Sequence, residues 1–289
     1  MLMTLRVPDL LGGDAQSVEG FYSILDSAPL ADQYVLDLGS VSFLKPYGVV
    51  ALVMAVRQLA ALSGRIVHLT NLPDQVHLYL HRMGLFEVCS DWLRPLDMLD
   101  GEWARSPYTQ SLLEITMITG PEDVGIVVSR AERIFSHWLM VSDLHGLLSV
   151  ISELCANVYE HSGDVHGCVL IQKYEAIKLK QAIVNLAVGD LGRGVRGSLV
   201  ARYGEIGQEP LDYLREAMIG RTARASGHGG LGLRRVEQIA ASAGGYAWLR
   251  SETAAILTQG PGTAQGYSNL ASVPGTQVTV ELRAPLFHI

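Results

Sequence analysis

The sequence predicts a two-domain fold, an α/β domain followed by an α+β domain, and three observations support it. The length of 289 residues corresponds to about two domains of roughly 150 residues each. Short apolar strands alternate with helices from about Tyr34 to Gly84, which is typical of helices layered on a sheet. Beyond residue 108, strand-like segments and separate helices occur without regular alternation, which favours an α+β sandwich.

The composition is that of an ordinary globular protein. Hydrophobic residues make up 48% of the chain and charged residues 18%, which is enough apolar material for two cores. The net charge of −7 argues against a general binder of nucleic acid or of anionic membranes, because no basic surplus exists to neutralise phosphates.

The compartment predicted from the sequence is the cytoplasm. Three widely spaced cysteines without a CxxC pair, Cys89, Cys155 and Cys168, indicate buried thiols in a reducing cytosol. The amino terminus has no signal-peptide pattern. The longest apolar run, Val49–Val56, is shorter than the ~20 residues that a membrane-spanning helix needs.

Hydrophobic spacing and turn residues outline the first domain. The predicted elements are a strand at Tyr34–Leu38, a turn at residues 44–48, a helix at Val49–Leu62, a strand at Ile66–Leu69 and a helix at Asp74–Met83. Residues 93–107 are predicted to be a linker between domains at 1–92 and 108–289, because proline, aspartate and glycine interrupt the pattern there.

The first domain resembles the STAS domain, the fold of anti-sigma factor antagonists, over about residues 5–92. The matching residues are Leu36-Asp37-Leu38, Val41-Ser42-Phe43, Gly48, Gly64, Leu69, Asn71 and Gly84-Leu85-Phe86. The resemblance implies a regulatory serine just before Gly48, but Tyr47 stands there, so serine phosphorylation at this position is not expected. A plain α/β helper or dimerisation domain is the alternative that the pattern leaves open.

The second domain is expected to contain two long helices, several strands and one long irregular segment. The predicted elements are strands at 112–119, 167–174, 181–188 and 276–282, helices at 121–138, 143–161 and 231–243, and an irregular region from Asp190 to Gly230. This pairing of strands with separate helices underlies the predicted α/β sandwich.

Polar residues lie along one flank of the predicted helix 143–161. Glu153, Asn157 and Glu160 are spaced four and three apart, so they share one side of the helix. Asn157 offers an oxygen to Mg²⁺, which prefers oxygen ligands and phosphate bridges. Glu153 can act as a general base on a water or a hydroxyl. A solvated helix flank is the alternative for this segment taken alone.

Glycine-containing segments follow this helix. The carboxylate of Asp190, in Asp190-Leu-Gly192-Arg-Gly194, can accept a hydrogen bond from an adenine amino group, while the glycines let the backbone approach the base. The segment Gly227-His-Gly229-Gly230-Leu231-Gly232 leads into a helix, whose first N–H groups favour phosphate. Pro274-Gly275-Thr276 precedes the final strand. Taken alone, a segment like that at Asp190 is usually a turn, and a glycine-rich loop is weak evidence. For Pro274-Gly275-Thr276, an ordinary turn before a strand is nearly as good an explanation as a nucleotide contact.

In this order, these segments are similar to the nucleotide-binding boxes of the GHKL (Bergerat-fold) family, over about residues 108–284. The resemblance implies binding of ATP and Mg²⁺, with Glu153 as general base, Asn157 on the metal and Asp190 on adenine. It implies further nucleotide contacts from Gly192, Gly194, Gly227, Gly229, Gly230, Leu231, Gly232 and Thr276. His228 departs from the family's glycine pattern, and Arg221, Arg224 and His228 are the cationic candidates for the γ-phosphate in the lid segment. Solvated arginines are the commoner explanation for such residues.

Within that family, the chain is most similar to ATPases of the anti-sigma factor, serine-kinase type. This resemblance implies a serine/threonine kinase or ATPase in a bacterial regulatory system, with a STAS-domain protein or a sigma factor as partner. The alternative is a non-catalytic switch in which ATP controls domain or subunit packing, and a homodimer is left open. His161 and His166 are predicted to be surface histidines rather than metal ligands.

Overall fold

The computed structural model describes residues 1–12, 16–97, 111–221, 232–260 and 262–285. The chain divides into two compact units, Met1–Tyr108 and Thr109–Ile289.

The first unit contains a parallel sheet. Its strands are β1 (Leu2–Arg6), β3 (Gln33–Asp37), β5 (Val67–Thr70) and β6 (Leu93–Pro95), and β2 (Leu10–Leu11) pairs separately with β4 (Phe43–Leu44). Its described helices are α1 (Glu19–Asp26), α2 (Pro46–Ser63), α3 (Asp74–Arg82) and α4 (Leu85–Val88). The strand order is β1-β3-β5-β6, and all of these neighbours are parallel.

The helix α2 begins at Pro46, so the turn predicted at residues 44–48 is wrong in its second half. Proline suits the first turn of a helix because its missing N–H would have no partner there. Gly48 has no room for a side chain, since an added Cβ would lie 2.6 Å from the carbonyl carbon of Leu11. The helix ends at Gly64, whose φ of +64° is easily adopted only by glycine.

The helix α2 is apolar on all sides. Its 18 residues, with a mean hydropathy of 1.4, are long and apolar enough to cross a membrane. However, 67% of this segment is buried inside the structure. Because the core helix of a globular domain has the same character, the segment is weak evidence for a membrane span.

Residues 93–95, which the sequence assigned to the linker, form the edge strand β6. Val67, His68 and Leu69 pair with them in parallel. The strand is only three residues long and ends in Pro95, which is tolerated at an edge where no further N–H is needed. A segment this short shows no periodicity, so the prediction missed it.

The second unit is a sheet covered by helices. Its strands are β7 (Leu112–Ile118), β8 (Gly167–Ala176), β9 (Gln181–Gly189), β10 (Tyr246–Glu252), β11 (Ala254–Thr258), β12 (Ala264–Tyr267) and β13 (Val273–Pro285). Its described helices are α5 (Pro121–Phe135), α6 (Val141–Asn157), α7 (Gly194–Tyr203), α8 (Pro210–Met218) and α9 (Gly232–Ser242). The sheet is antiparallel, in the order β12-β11-β10-β13-β9-β8-β7, and its core joins α5, α6 and α9 to the strands. This sheet-plus-helix layering confirms the predicted mixed α/β class of the second domain.

Two parts of the second unit differ from the prediction. The region from Asp190 to Gly230, predicted to be irregular, contains α7 and α8. The strands β10, β11 and β12 were not predicted. The two strands β10 and β11 are buried on both faces, so they lack the alternation of polar and apolar residues that marks a half-exposed strand.

Candidate functional site: a cleft at the end of α6

A cleft in the second unit lies between the end of α6, the helices α7 to α9 and the sheet. It contains about 790 Å³ of space, a figure that includes the part open to solvent. Its apolar wall comes from strand and helix residues, among them Val158, Val188, Leu199, Leu249 and Val278. Such a wall suits a flat aromatic group.

The cleft brings together most of the site residues that the sequence predicted and the structure describes. Those that line it are Glu153, Asn157, Asp190, Gly194, Arg221, Gly232 and Thr276. Gly192 instead packs against the backbone of Ser162, where an added Cβ would lie 2.5 Å from the carbonyl carbon. Gly227, Gly229, Gly230 and Leu231 lie outside the described residues, as do Arg224 and His228.

The helix α6 carries Glu153 and Asn157 into the cleft. Its opposite face is buried in the core through Leu147 and Ile151, so the two polar side chains can face the cleft one turn apart. The carboxylate of Glu153 lies against Gly232, the first residue of α9. A Cβ at Gly232 would lie 2.6 Å from Cγ of Glu153 and closer still to its carboxylate. A glycine is therefore required here for the glutamate to hold its position.

A π-helical turn, Val158–Ser162, directly follows Asn157. Such turns insert one extra residue and occur often at functional sites. His161 and Ser162 from this turn line the cleft, whereas Glu160 is exposed and does not. His161, predicted to be a surface histidine, therefore lies half-buried in the wall of the open cleft. Its side chain is only 19% exposed and its Nε2 lies 3.8 Å from Oε2 of Glu160.

Asp190 is fixed by the turn that precedes Thr276. Its Oδ1 accepts hydrogen bonds from the N–H of Gly192 at 2.8 Å and of Thr276 at 3.3 Å. Its own N–H donates to the carbonyl of Thr276 at 3.0 Å. Gly275 has a φ of +77°, and a Cβ there would lie 2.8 Å from Oδ1 of Asp190. The carboxylate is only 4% exposed, so these contacts set its orientation.

Serine side chains tie the start of α7 to its neighbours. The hydroxyl of Ser251 accepts from the N–H of Val195 at 3.0 Å and donates to the carbonyl of Gly275 at 2.9 Å. The hydroxyl of Ser198 donates to the carbonyl of His161 at 2.9 Å. These serines were not predicted, because isolated serines carry no spacing signal in the sequence.

The surroundings of two carboxylates near α7 shift their pKa values in opposite directions. The hydroxyl of Tyr213 donates a hydrogen bond to Glu205 and holds the pKa of that carboxyl below its ordinary value. Burial raises the pKa of Glu252, although the charge of Arg196 opposes this. Arg196 lies 3.5 Å from the carboxylate of Glu205 and 5.4 Å from the ring centroid of Tyr213. These contacts join α7 to α8 beside the cleft.

The comparison with known protein families matches the part of the chain that forms the cleft. The model of the histidine kinase-, DNA gyrase B-, and HSP90-like ATPase family matches residues 142–286, half of the chain, and this range includes every residue that lines the cleft. No curated protein matches the chain. The match confirms the ATP-binding domain that the sequence predicted. The chain therefore belongs to the histidine kinase-, DNA gyrase B-, and HSP90-like ATPase family.

Proposed function

We propose that the protein is an ATP-dependent serine/threonine kinase or ATPase that acts on a protein partner. One observation carries this proposal: a carboxylate and a carboxamide, Glu153 and Asn157, line the same cleft one helical turn apart. The cleft also holds the buried carboxylate of Asp190. Transfer of a phosphoryl group from ATP needs a general base, a metal ligand and a group that recognises adenine.

Asp190 is the proposed adenine contact. A fixed carboxylate accepts a hydrogen bond from the amino group of adenine but repels the carbonyl oxygen that guanine has at the same position. The backbone hydrogen bonds to Oδ1 keep the carboxylate from turning away. The apolar residues Val188 and Val278 border the same cleft and can cover the faces of the base.

The residues of the cleft fit a Mg²⁺ ion that is bound together with nucleotide phosphates. Among the described residues, no group of three His, Cys, Asp or Glu side chains could hold a metal ion. Mg²⁺ in nucleotide sites takes one or two protein oxygens and completes its shell with phosphates and water. Asn157 would provide this protein oxygen. When bound, Mg²⁺ supplies positive charge that neutralises the phosphates.

Glu153 is the proposed general base. Its carboxylate accepts the proton of an incoming hydroxyl, and the hydroxyl oxygen forms a bond to the γ-phosphorus. The bond between that phosphorus and the β,γ-bridging oxygen breaks, and ADP leaves. A serine or threonine hydroxyl makes this reaction a kinase reaction, and water makes it hydrolysis.

The first domain is proposed to be STAS-like, and its fold of parallel strands around α2 supports this. Tyr47 stands where that family carries its regulatory serine, and it is only 3% exposed. A buried side chain cannot reach an active site without local unfolding, so the phosphoryl acceptor is expected on another molecule. The proposed partner is a STAS-domain protein or a sigma factor, as the resemblance implies.

The test compares ATP-Mg²⁺ binding and turnover of the wild type with those of Glu153→Gln, Asn157→Ala and Asp190→Asn. We expect Glu153→Gln to keep ATP binding and to lower turnover by about 10²- to 10⁴-fold. Asn157→Ala should lose the Mg²⁺-dependent part of binding, and Asp190→Asn should bind ATP more weakly. Glu132→Gln removes the same charge from an exposed side chain of α5 outside the cleft, so it serves as the matched control. Unchanged turnover in Glu153→Gln would refute its catalytic role.

A second candidate function, an ATP-dependent conformational switch, is favoured by the packing of α7 and α8. Leu199 and Ala217 line the cleft and form, with Tyr213, a small apolar cluster separate from the main core. The hydroxyl oxygen of Tyr213 also lies 3.0 Å from the carbonyl oxygen of Gly207. The two helices can thus respond to a ligand as one unit. ATP binding without turnover in the wild type, with or without partner proteins, would support this function over the kinase.

A further inference from the structure

Arg221 lies at the edge of the cleft, just after α8. It lines the cleft, and it is the last described residue before the glycine-rich segment. Its N–H donates to the carbonyl of Glu216 at 3.0 Å, and the preceding Gly220 has a φ of +111°. Only glycine adopts that conformation without strain. The end of α8 is therefore a defined turn that returns Arg221 towards the cleft.

The side chain of Arg221 is held by a carboxylate and by a ring. Its Nε lies 2.8 Å from Oε2 of Glu216, and its guanidinium lies 5.8 Å from the ring centroid of Tyr203. Oε2 of Glu216 is buried and has no hydrogen-bond partner in the described structure, so the contact is electrostatic rather than an aligned hydrogen bond. The side chain of Arg221 is 47% exposed, and ion pairs at such positions are weak.

We propose that Glu216 competes with the phosphates of the bound nucleotide for Arg221, and that this competition sets the affinity for ATP. The inference rests on the proposed function, because it assumes that a nucleotide occupies the cleft. A guanidinium binds phosphate oxygens with two parallel hydrogen bonds. A triphosphate offers several negative charges where Glu216 offers one, so it displaces a weak ion pair. Glu216 then acts against phosphate binding and has no effect on binding of the nucleoside.

The experiment measures the dissociation constants of ATP, ADP and adenosine by titration calorimetry. The proteins are the wild type, Glu216→Gln, Arg221→Gln and the double variant, which together form a double-mutant cycle. We expect Glu216→Gln to bind ATP about two- to fivefold more tightly, as the strength of a half-exposed ion pair suggests, and adenosine unchanged. Arg221→Gln should bind ATP more weakly. In the double variant, the gain from Glu216→Gln should disappear.

Matched controls separate this competition from a general effect of charge. Glu132→Gln removes an exposed carboxylate from α5, and Arg215→Gln removes an arginine that is 63% exposed on α8. Neither residue lines the cleft, so neither should change the ratio of ATP to adenosine affinity. Glu216→Asp shortens the side chain and should give part of the gain, which provides a second variant if Glu216→Gln folds poorly.

The possible results distinguish this inference from the proposed function. A wild type that binds no nucleotide would overturn the proposed function, and this inference with it. If the wild type binds ATP, the proposed function stands. The inference alone is then overturned if Glu216→Gln changes the dissociation constants of ATP and adenosine by the same factor, or changes neither. The inference also fails if the gain persists without the Arg221 side chain. A gain that depends on phosphate and on Arg221 supports it.

Discussion

The contact between Gly232 and Glu153 allows a single added methyl group, in Gly232→Ala, to test whether turnover depends on the position of Glu153. In Gly232→Ala, the new Cβ would stand 2.6 Å from Cγ of Glu153, whereas carbon atoms in contact prefer about 3.5 to 4.0 Å. The glutamate side chain must therefore move by about 1 Å or more. A displacement of that size at a catalytic group costs about 10²-fold in rate.

Stability should change much less than activity. Gly232 is the first residue of α9 and is not at positive φ, so its backbone accepts alanine without strain. The displaced group is the flexible end of a side chain, which can move without disturbing the core. We therefore expect Gly232→Ala to keep at least the melting temperature of the wild type while turnover falls about 10²-fold.

The assays are thermal unfolding, ATP binding and release of phosphate, each compared with Gly125→Ala. Gly125 lies in α5, and a Cβ there would meet nothing within 4 Å, so this control gains helix propensity without touching the cleft. Both variants should be at least as stable as the wild type, and only Gly232→Ala should lose turnover. Normal turnover in Gly232→Ala would refute the role given to the position of Glu153.

Other expected outcomes concern the turn at Gly275, the titration of His77 and the reactivity of the cysteines. Gly275→Ala should bind adenosine more weakly and unfold at a lower temperature, because it adds a clash with Asp190 to the strain of a φ of +77°. Gly262 has a similar φ of +74°, but an added Cβ there would meet no atom within 4 Å. In calorimetry, Gly262→Ala should therefore lower the free energy of unfolding only by the backbone strain, about 1 kcal/mol. Burial, followed by the charge of His81, lowers the pKa of His77 below its ordinary value of 6.5, although Asp97 and Asp74 oppose this. Because the unfolded chain then binds the proton more readily, stability should be full above about pH 6.5 and fall as the pH drops below it. Melting curves at about pH 7.5 and 5.5 should show a smaller difference for His77→Asn. Burial raises the pKa of Cys89 and Cys155 to about 12, so mass spectrometry should find both thiols alkylated at about pH 8 only after denaturation.

Local signals in the sequence located the helix that carries the site. The apolar spacing of α6 places Glu153 and Asn157 on one flank, and this follows from helix geometry alone. The π-helical turn after Asn157 has no such signal, because it depends on how Ser162 and the following loop pack. The sequence therefore predicted the start of the polar flank correctly and missed that His161, not Glu160, reaches the cleft.

Contacts between residues that are distant in the sequence could be predicted only from the order of the motifs. Asp190 and Thr276 meet because β9 and β13 are antiparallel neighbours, with Gly189 opposite Gln277. Nothing local in either segment specifies that pairing. The helices α7 and α8 were missed for a related reason. Their buried residues pack on each other and on strands that were themselves not predicted, so tertiary contacts decide what local propensity leaves open.

The position of β13 has a consequence for synthesis of the protein. This strand is the last of the second unit in chain order, yet it lies between β10 and β9. A nascent chain that has emerged only as far as residue 272 would therefore expose two bare strand edges, which are templates for aggregation. It would also lack the turn that orients Asp190. Nucleotide can thus stabilise the domain only after synthesis has passed β13.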